Sequence, residues 1–304
     1  MEFVPFAFAV SVCAIRDLSL PALHSKVWMA ASKDHLRNRV KLHISFGYAN
    51  GIWNYSFDPV NTTNATSYSN SITFEELKRI NPQHLQVNSL RFGKCPPANT
   101  ATLEEVSAIL KVAFACLRWP ILYIDWDCGI PEKVLSEMLK QCRSTPFNSI
   151  LVYDKNPKLS EDFLRMQLRS NDALGRIQLV CHDRQIRFSD EVRLAVEEFA
   201  ISKPFVTLCF DCETLVFDIT FFGRLIEKSV VWKCQFSGYF SFDFEELKGF
   251  KTEIQDLPSA LELSDKHGER FQCLIWRRDD GTRITAKHVL GQVWEIEIFI
   301  VYKI

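Results

Sequence analysis

The chain has 304 residues, of which 47% are hydrophobic, and its 36 basic and 37 acidic residues give a formal net charge of -1. This size and composition allow one large or two moderate domains with a substantial core. The balanced charge argues against a dedicated binder of nucleic acid or of anionic membranes, because both usually carry a basic excess. No stretch reaches the roughly 20 apolar residues that cross a bilayer. The ten scattered cysteines lie mostly in apolar runs, which indicates free thiols in a reducing compartment, the cytoplasm or the nucleus.

The start of the chain predicts two small elements ahead of the main body. Residues 1–40 carry mostly apolar side chains with few charges, and we predict that they form a helical unit. Two β-type runs then lie on either side of Asn50-Gly51, which is a strong signal for the type I′ turn of a β-hairpin. Residues 41–84 are therefore predicted to contain a hairpin and a connecting segment.

Two sequence motifs mark the beginnings of helices. Thr73 precedes Glu76 by three positions, and Thr102 precedes Glu105 by three positions. In such a capping box the threonine hydroxyl accepts from the backbone N–H of the glutamate, and the glutamate carboxylate accepts from the backbone N–H of the threonine. We therefore predict one helix that begins after Thr73 and another that begins after Thr102.

A unit of about 28 residues recurs through the middle of the chain. Each unit has an apolar β-type run followed by a stretch with helical apolar spacing, and a crossover helix is what returns a strand parallel to its predecessor. A fixed period in this range indicates stacked supersecondary units. We therefore predict an array of βα units with parallel strands over residues 85–250. The runs open at intervals of 28, 27, 29 and 26 residues, at Leu122, Ile150, Ile177, Val206 and Trp232.

The aligned units share columns of similar residues. The first column holds the residues that open the runs. The second column lies two positions further on and is again apolar, at Ile124, Val152, Leu179, Leu208 and Cys234. This pattern resembles the leucine-rich-repeat family, in which stacked parallel strands line a horseshoe. The resemblance implies an α/β fold that forms a leucine-rich-repeat-like solenoid.

The C-terminal residues 251–304 break the period. Phe271–Trp276 and Arg283–His288 have the pattern of a β-hairpin, and Val293–Tyr302 has the pattern of a long final strand. The open end of a repeat array must hide its last apolar face. We therefore predict that this segment is a β-rich cap.

The sequence contains none of the strong catalytic or nucleotide-binding motifs, such as a Walker loop or a Gly-x-Ser-x-Gly elbow. Asp125 and Asp127 have a spacing that acid–base or metal chemistry can use, and together with His182 they support an alternative in which the chain is an α/β enzyme. Cys209 and Cys212 form a Cys-x-x-Cys pair, but no second pair completes a zinc site. We predict that the chain is not an enzyme and has no cofactor and no bound metal.

Alternate strand positions carry the candidate target-binding residues. If the apolar columns face the core, the residues between them line the opposite face of the sheet. That face combines tyrosines with few charges, which is typical of the centre of protein interfaces. The alternative is that helices cover both faces of the sheet and bury these residues. The predicted target-binding residues are Tyr123, Asp125, Tyr153, Gln178, His182, Thr207, Asp211 and Lys233.

The N-terminus has a Val-Pro start, spaced phenylalanines, a leucine-rich turn and a Val27-Trp28 pair ahead of small residues. This order resembles an F-box, and it is similar to the N-termini of a large nematode-expanded family of F-box-like proteins. The resemblance implies docking on the Skp adaptor of a cullin–RING ubiquitin ligase. The alternative is that the helical unit folds onto the array and binds no adaptor. By the resemblance, the adaptor-binding residues are Pro5, Phe6, Phe8, Leu18 and Leu20.

These observations lead to one functional expectation and one main alternative. We expect a non-catalytic substrate receptor of a Skp–cullin–F-box ubiquitin ligase, with the adaptor bound by the N-terminus and a target protein bound by the strand face. Neither nucleic acid nor a membrane is an expected partner. The alternative is a stand-alone protein-binding repeat scaffold in which the N-terminus has a purely structural role.

Overall fold

The computed structural model of the chain describes residues 9, 12, 26–60, 72–93, 95, 99–125, 130–153, 157–181, 187–203, 205–227, 233–242, 244–249, 259–264, 270–277, 283–289 and 295–301. The chain divides into two compact units, residues 1–130 (unit 1) and residues 131–304 (unit 2). Each unit combines helices with a β-sheet, so the predicted α/β class is confirmed. Among the described residues, no helix has the length and the apolar character that spanning a membrane requires.

Unit 1 contains a sheet with mixed strand directions. Its described elements are α1 (Lys26–Asn38), β1 (Val40–Ala49), β2 (Ile52–Pro59), α2 (Phe74–Arg79), β3 (Leu85–Phe92), β4 (Asn99–Ala101), α3 (Leu103–Ala115) and β5 (Leu117–Asp125). The strand order is β5-β3-β1-β2-β4. β3 is parallel to both β1 and β5, whereas β2 is antiparallel to both β1 and β4. The hairpin therefore shares a sheet with β3, which lies at the start of the range predicted for the array.

The predicted hairpin is confirmed as β1 and β2. Asn50 has a φ of 54° and Gly51 has a φ of 82°, and a type I′ turn needs positive φ at both central positions. The two strands pair from Ala49 opposite Ile52 up to Leu42 opposite Pro59. Because a two-residue turn fixes which residues lie opposite each other, the local sequence sets the register of the whole hairpin.

Both predicted capping boxes are confirmed. Thr73 Oγ1 accepts from the N–H of Glu76 at 3.3 Å, and Glu76 Oε2 accepts from the N–H of Thr73 at 2.7 Å. The corresponding distances between Thr102 and Glu105 are 3.2 and 2.8 Å. These motifs satisfy backbone donors that the first turn of a helix leaves without partners. The second box starts α3, whose buried stripe is Val106, Ile109, Leu110 and Ala113.

Unit 2 begins with the βα units that the period predicted. Its described helices are α4 (Glu132–Cys142), α5 (Pro157–Ser170), α6 (Asp190–Ser202), α7 (Ile219–Glu227) and α8 (Phe244–Lys248). Its strands are β6 (Ser149–Tyr153), β7 (Arg176–Val180), β8 (Phe205–Asp211), β9 (Val216–Phe217), β10 (Lys233–Phe240), β11 (Ser259–Ser264), β12 (Arg270–Arg277), β13 (Arg283–Val289) and β14 (Glu295–Val301).

Four strands of unit 2 are parallel and follow one another in chain order. β6 pairs with β7, β7 with β8, and β8 with β10. The connections between them contain α5, α6 and α7, and neighbouring helices from α4 to α7 contact each other in turn. Right-handed crossovers between neighbouring strands place successive helices on the same side of the sheet. These strands therefore have a helical layer on one face.

The C-terminal strands continue the sheet of unit 2 in the opposite direction. β14 is antiparallel to β10, and β13, β12 and β11 follow as antiparallel neighbours. The predicted hairpin is β12 and β13, and the predicted final strand is β14. β11 was not predicted. This antiparallel segment provides β10 with a neighbour on the side away from β8.

A cluster of aromatic rings forms the core of unit 2 around β8 and β10. Phe217 lies at its centre, and its ring centroid is 5.6 Å from that of Phe210 and 4.9 Å from that of Phe236. The rings of Phe221 and Phe240 lie 5.1 and 6.2 Å away. All five side chains are at most 1% exposed. The short strand β9 pairs with β10 and thereby holds Phe217 against the other rings.

Candidate protein-binding face

Alternate residues on the parallel strands of unit 2 differ in burial. The predicted core column is buried, with Ile150 at 0%, Ile177 at 1% and Val206 at 3% exposure. Residues between the column positions, such as Gln178 and Thr207, are half-buried. Because side chains alternate between the faces of a strand, the column lies against the helical layer and the intervening residues point to the other face. Within the described residues, that second face is partly open to solvent.

The pairing of the strands arranges this second face in rows. Leu151 lies opposite Gln178, Gln178 lies opposite Cys209, and Cys209 lies opposite Ser237. A second row begins with Tyr153 and lies two residues further along each strand. We call this surface the strand face and define it by Leu151, Tyr153, Gln178, Val180, Thr207, Cys209, Asp211, Gln235, Ser237 and Tyr239.

The strand face is polar and aromatic, and its described charges are those of Asp211 and of the adjoining exposed Arg176. The hydroxyl of Tyr239 donates to Asp211 Oδ1 at 3.3 Å, and Arg176 Nη2 donates to Gln178 Oε1 at 3.4 Å. Asp211 is exposed, and Tyr239 is half-buried. Tyrosine and glutamine expose both hydrogen-bonding groups and apolar surface, which is the combination found at the centres of protein interfaces. The arrangement is therefore suited to binding, because it offers a partner both kinds of contact.

The structure brings together half of the predicted target-binding residues. Tyr153, Gln178, Thr207 and Asp211 all lie on the strand face, on three neighbouring strands. Lys233 begins β10, but its side chain lies outside the described residues, as does the whole of His182. Tyr239 was not among the predicted residues, and it lies near the end of β10, which continues to Phe240.

The other two predicted residues, Tyr123 and Asp125, lie on β5 in unit 1. The guanidinium of Arg91 stacks over the Tyr123 ring at 4.9 Å, which is a favourable cation–π geometry. Asp125 lies beside Gly93, where an added Cβ would come within 3.1 Å of the Asp125 Cβ. These two residues form part of a polar surface of unit 1. Asp127, which the enzyme hypothesis paired with Asp125, lies outside the described residues.

The same surface of unit 1 carries a hydrogen-bonded cluster that the sequence analysis did not predict. His43 Nδ1 lies 2.6 Å from Ser89 Oγ, and Asp58 lies opposite His43 in the hairpin register. Burial lowers the pKa of His43, and the nearby carboxylate of Asp58 opposes this shift. Ser56 Oγ donates to Asp58 Oδ2 at 3.0 Å. Register between β1, β2 and β3 brings these groups together, and no local motif signals it.

Cys95 lies over the same cluster, but its surroundings do not favour a reactive thiolate. Its Sγ donates to Ser56 Oγ at 3.6 Å and to the carbonyl oxygen of Ser45 at 3.7 Å. Burial raises the pKa of Cys95 above its ordinary value, and the thiolate is the nucleophilic form of cysteine. The thiol is therefore protonated at neutral pH. It joins the hydrogen bonds that stabilise this surface.

None of the predicted adaptor-binding residues lies within the described part of the chain. Pro5, Phe6, Phe8, Leu18 and Leu20 all lie outside it. Two neighbouring helical positions are described, Ala9 and Val12, and Ala9 is completely buried with Trp28 and Ala31 of α1. The N-terminal segment therefore packs on α1 at this point.

The described residues provide no metal site. They contain no group of three or more His, Cys, Asp or Glu side chains arranged to hold an ion. Within the described part of the chain, Cys209 and Cys212 form no disulfide, and Cys212 is fully buried. A buried thiol of this kind packs as a small hydrophobic side chain.

Comparison of the chain with protein-family models, with curated proteins and with solved structures gives no match. We therefore infer function from the fold and from the strand face. Together they define a mixed α/β protein in which a helical layer covers one side of four parallel strands and polar and aromatic residues occupy the other side.

Proposed function

We propose that the chain is a non-catalytic substrate receptor of a Skp–cullin–F-box ubiquitin ligase. Its N-terminus docks the Skp adaptor, and its strand face binds a target protein. The observation that carries the proposal is the strand face itself, in which half-buried polar and aromatic residues lie opposite a buried apolar column. In this role the chain performs no chemistry, because ubiquitin transfer belongs to other subunits.

The arrangement of unit 2 supports the repeat part of the proposal. The parallel strands β6, β7, β8 and β10 follow one another in chain order, and a leucine-rich-repeat-like array would have the same strand order with a helix returning each strand. Such arrays use their broad strand surface for recognition and seldom for catalysis. We therefore assign target binding to the strand face, with Tyr153, Gln178, Thr207 and Asp211 as contacts.

The N-terminal part of the proposal rests on the resemblance to an F-box. Trp28, the tryptophan of that resemblance, packs with Ala9 and Ala31 in a small apolar cluster. This packing supports a compact helical unit that includes α1. The proposed adaptor contacts are Pro5, Phe6, Phe8, Leu18 and Leu20.

A binding assay with purified components tests this proposal. The full chain is mixed with the Skp adaptor, and wild type is compared with a Pro5→Ala/Phe8→Asp double variant. We expect the wild type to retain the adaptor and the double variant to lose it, while the circular dichroism of the two chains is the same. Failure of a well-folded wild-type chain to bind the adaptor would refute the ligase assignment.

A further inference from the structure

One row of the strand face crosses four strands and has a distinctive chemical composition. Tyr153 on β6 lies opposite Val180 on β7, and Val180 lies opposite Asp211 on β8. Tyr239 on β10 follows Ser237 by two residues, just as Asp211 follows Cys209, and Ser237 pairs with Cys209. We call Tyr153, Val180, Asp211 and Tyr239 the Asp211 row. Its side chains project from neighbouring strands about 4.8 Å apart.

The Asp211 row forms a trough with an apolar floor. Val180 is 7% exposed, and its short side chain lies between the longer side chains of Tyr153 and Asp211. The hydroxyl of Tyr239 donates to Asp211 at 3.3 Å from the next strand, and this bond holds the carboxylate at one side of the trough. The floor is therefore apolar and one wall is anionic.

Within the described residues, Asp211 takes part in none of the ion pairs. Its carboxylate is exposed, so a partner can reach it without displacing a side chain. The ring of Tyr239, whose hydroxyl donates to this carboxylate, adds a face that attracts a cation.

We infer that the Asp211 row binds a lysine or arginine side chain of the target protein. The aliphatic stem of that side chain lies on Val180, and its cationic head pairs with Asp211 between the two tyrosines. Lysine and arginine carry an apolar stem and a charged head, which match the apolar floor and the anionic wall. This inference rests on the proposed function, because it names the chemistry of the target that the strand face receives.

Selection of peptides on the purified chain tests the inference. The full-length chain is immobilised, a phage library of random short linear peptides is selected on it, and the recovered sequences are aligned. We expect one position to be enriched in lysine or arginine. We also expect Asp211→Asn to weaken the recovered peptides about tenfold or more, because a hydrogen bond to a charged group contributes that much to an affinity.

A matched control distinguishes a specific effect of the Asp211 carboxylate on peptide binding from the effect of losing any negative charge. Glu198→Gln removes the same charge from an exposed position on the helical layer, and we expect it to leave peptide affinity unchanged. The inference is overturned if no peptide is recovered, if the recovered peptides lack a basic position, or if the two variants weaken binding equally. Because this assay contains no adaptor, loss of adaptor binding would refute the ligase assignment and leave the peptide result intact.

Discussion

Replacement of His35 by phenylalanine is expected to stabilise the chain. His35 in α1 is 4% exposed, and neither nitrogen of its ring has a hydrogen-bond partner. A buried polar group without a partner costs about 1–3 kcal/mol, and a neutral imidazole has both a donor and an acceptor to satisfy. Phenylalanine has a flat ring of similar size without polar atoms. We therefore expect His35→Phe to raise the free energy of unfolding by about 1–2 kcal/mol at neutral pH.

The stabilisation by His35→Phe is expected to grow as the pH falls. Burial lowers the pKa of His35 below its ordinary value of 6.5, His84, Lys41 and Arg118 lower it further, and Asp34 opposes them. The unfolded chain therefore binds a proton at His35 more readily than the folded chain, so the wild type loses stability as the pH falls below 6.5. The variant has no such proton to take up. The free energy of unfolding of the variant is therefore expected to exceed that of the wild type by more near pH 5.5 than near pH 7.5.

Urea unfolding at the two pH values measures both effects. Hydrogen exchange of peptides from residues 26–60 then assigns the change to unit 1. Leu36→Phe is the matched control, because Leu36 lies on the same helix and is 45% exposed, and we expect its stability to stay within about 0.5 kcal/mol of wild type. A lower free energy of unfolding in His35→Phe than in wild type would contradict the cost assigned to the buried imidazole. A difference of equal size at both pH values would contradict the lowered pKa of His35.

Two further substitutions test unit 2. Phe217→Ala is expected to lower the free energy of unfolding in urea by about 3–5 kcal/mol, because the Phe217 ring is completely buried among four other rings. The control is Val216→Ala at the neighbouring position, which is 37% exposed. This control should lower the free energy of unfolding by less than about 1 kcal/mol. An equal loss of unfolding free energy in the two variants would be inconsistent with an aromatic core around Phe217. Burial raises the pKa of Glu197 even though two arginines pair with it. The free energy of unfolding of the wild type relative to Glu197→Gln should therefore fall as the pH rises above 4.5, and a constant difference across a pH series would contradict this.

The parts of the fold that the sequence predicted best depend on neighbouring residues. The turn at Asn50-Gly51 and the capping box at Thr102 use contacts within four positions of the chain, so the pattern alone determines them. The parallel strands of unit 2 were predicted because apolar residues alternate over a regular period. The short strands β4 and β9 were missed, since three and two residues carry no detectable period and pair through tertiary contacts.

The candidate site was predicted only in part, because the sequence pattern indicates the face of each residue but not its partners on other strands. Alternation along a strand indicates which residues share a face, so Tyr153, Gln178 and Asp211 were expected on one surface. Which of them share a row depends on the register between strands, and that register is set by packing over long sequence distances. The hydrogen bond between Tyr239 and Asp211 could not be predicted without it. The pair of His43 and Ser89 is a second case, because their strands are parallel and lie 46 residues apart in the chain.

The order of the strands makes recognition by the Asp211 row modular. Its four residues come from four neighbouring strands of the sheet, separated by 27, 31 and 28 positions, and a different helix-bearing connection lies between each pair. A change of length in one connection leaves the composition of the row intact. A single deletion within β7 would instead exchange Gln178 and Val180 for their buried neighbours, since one residue reverses the face of a strand. Target preference can thus change one substitution at a time, while the strands themselves tolerate no change of length.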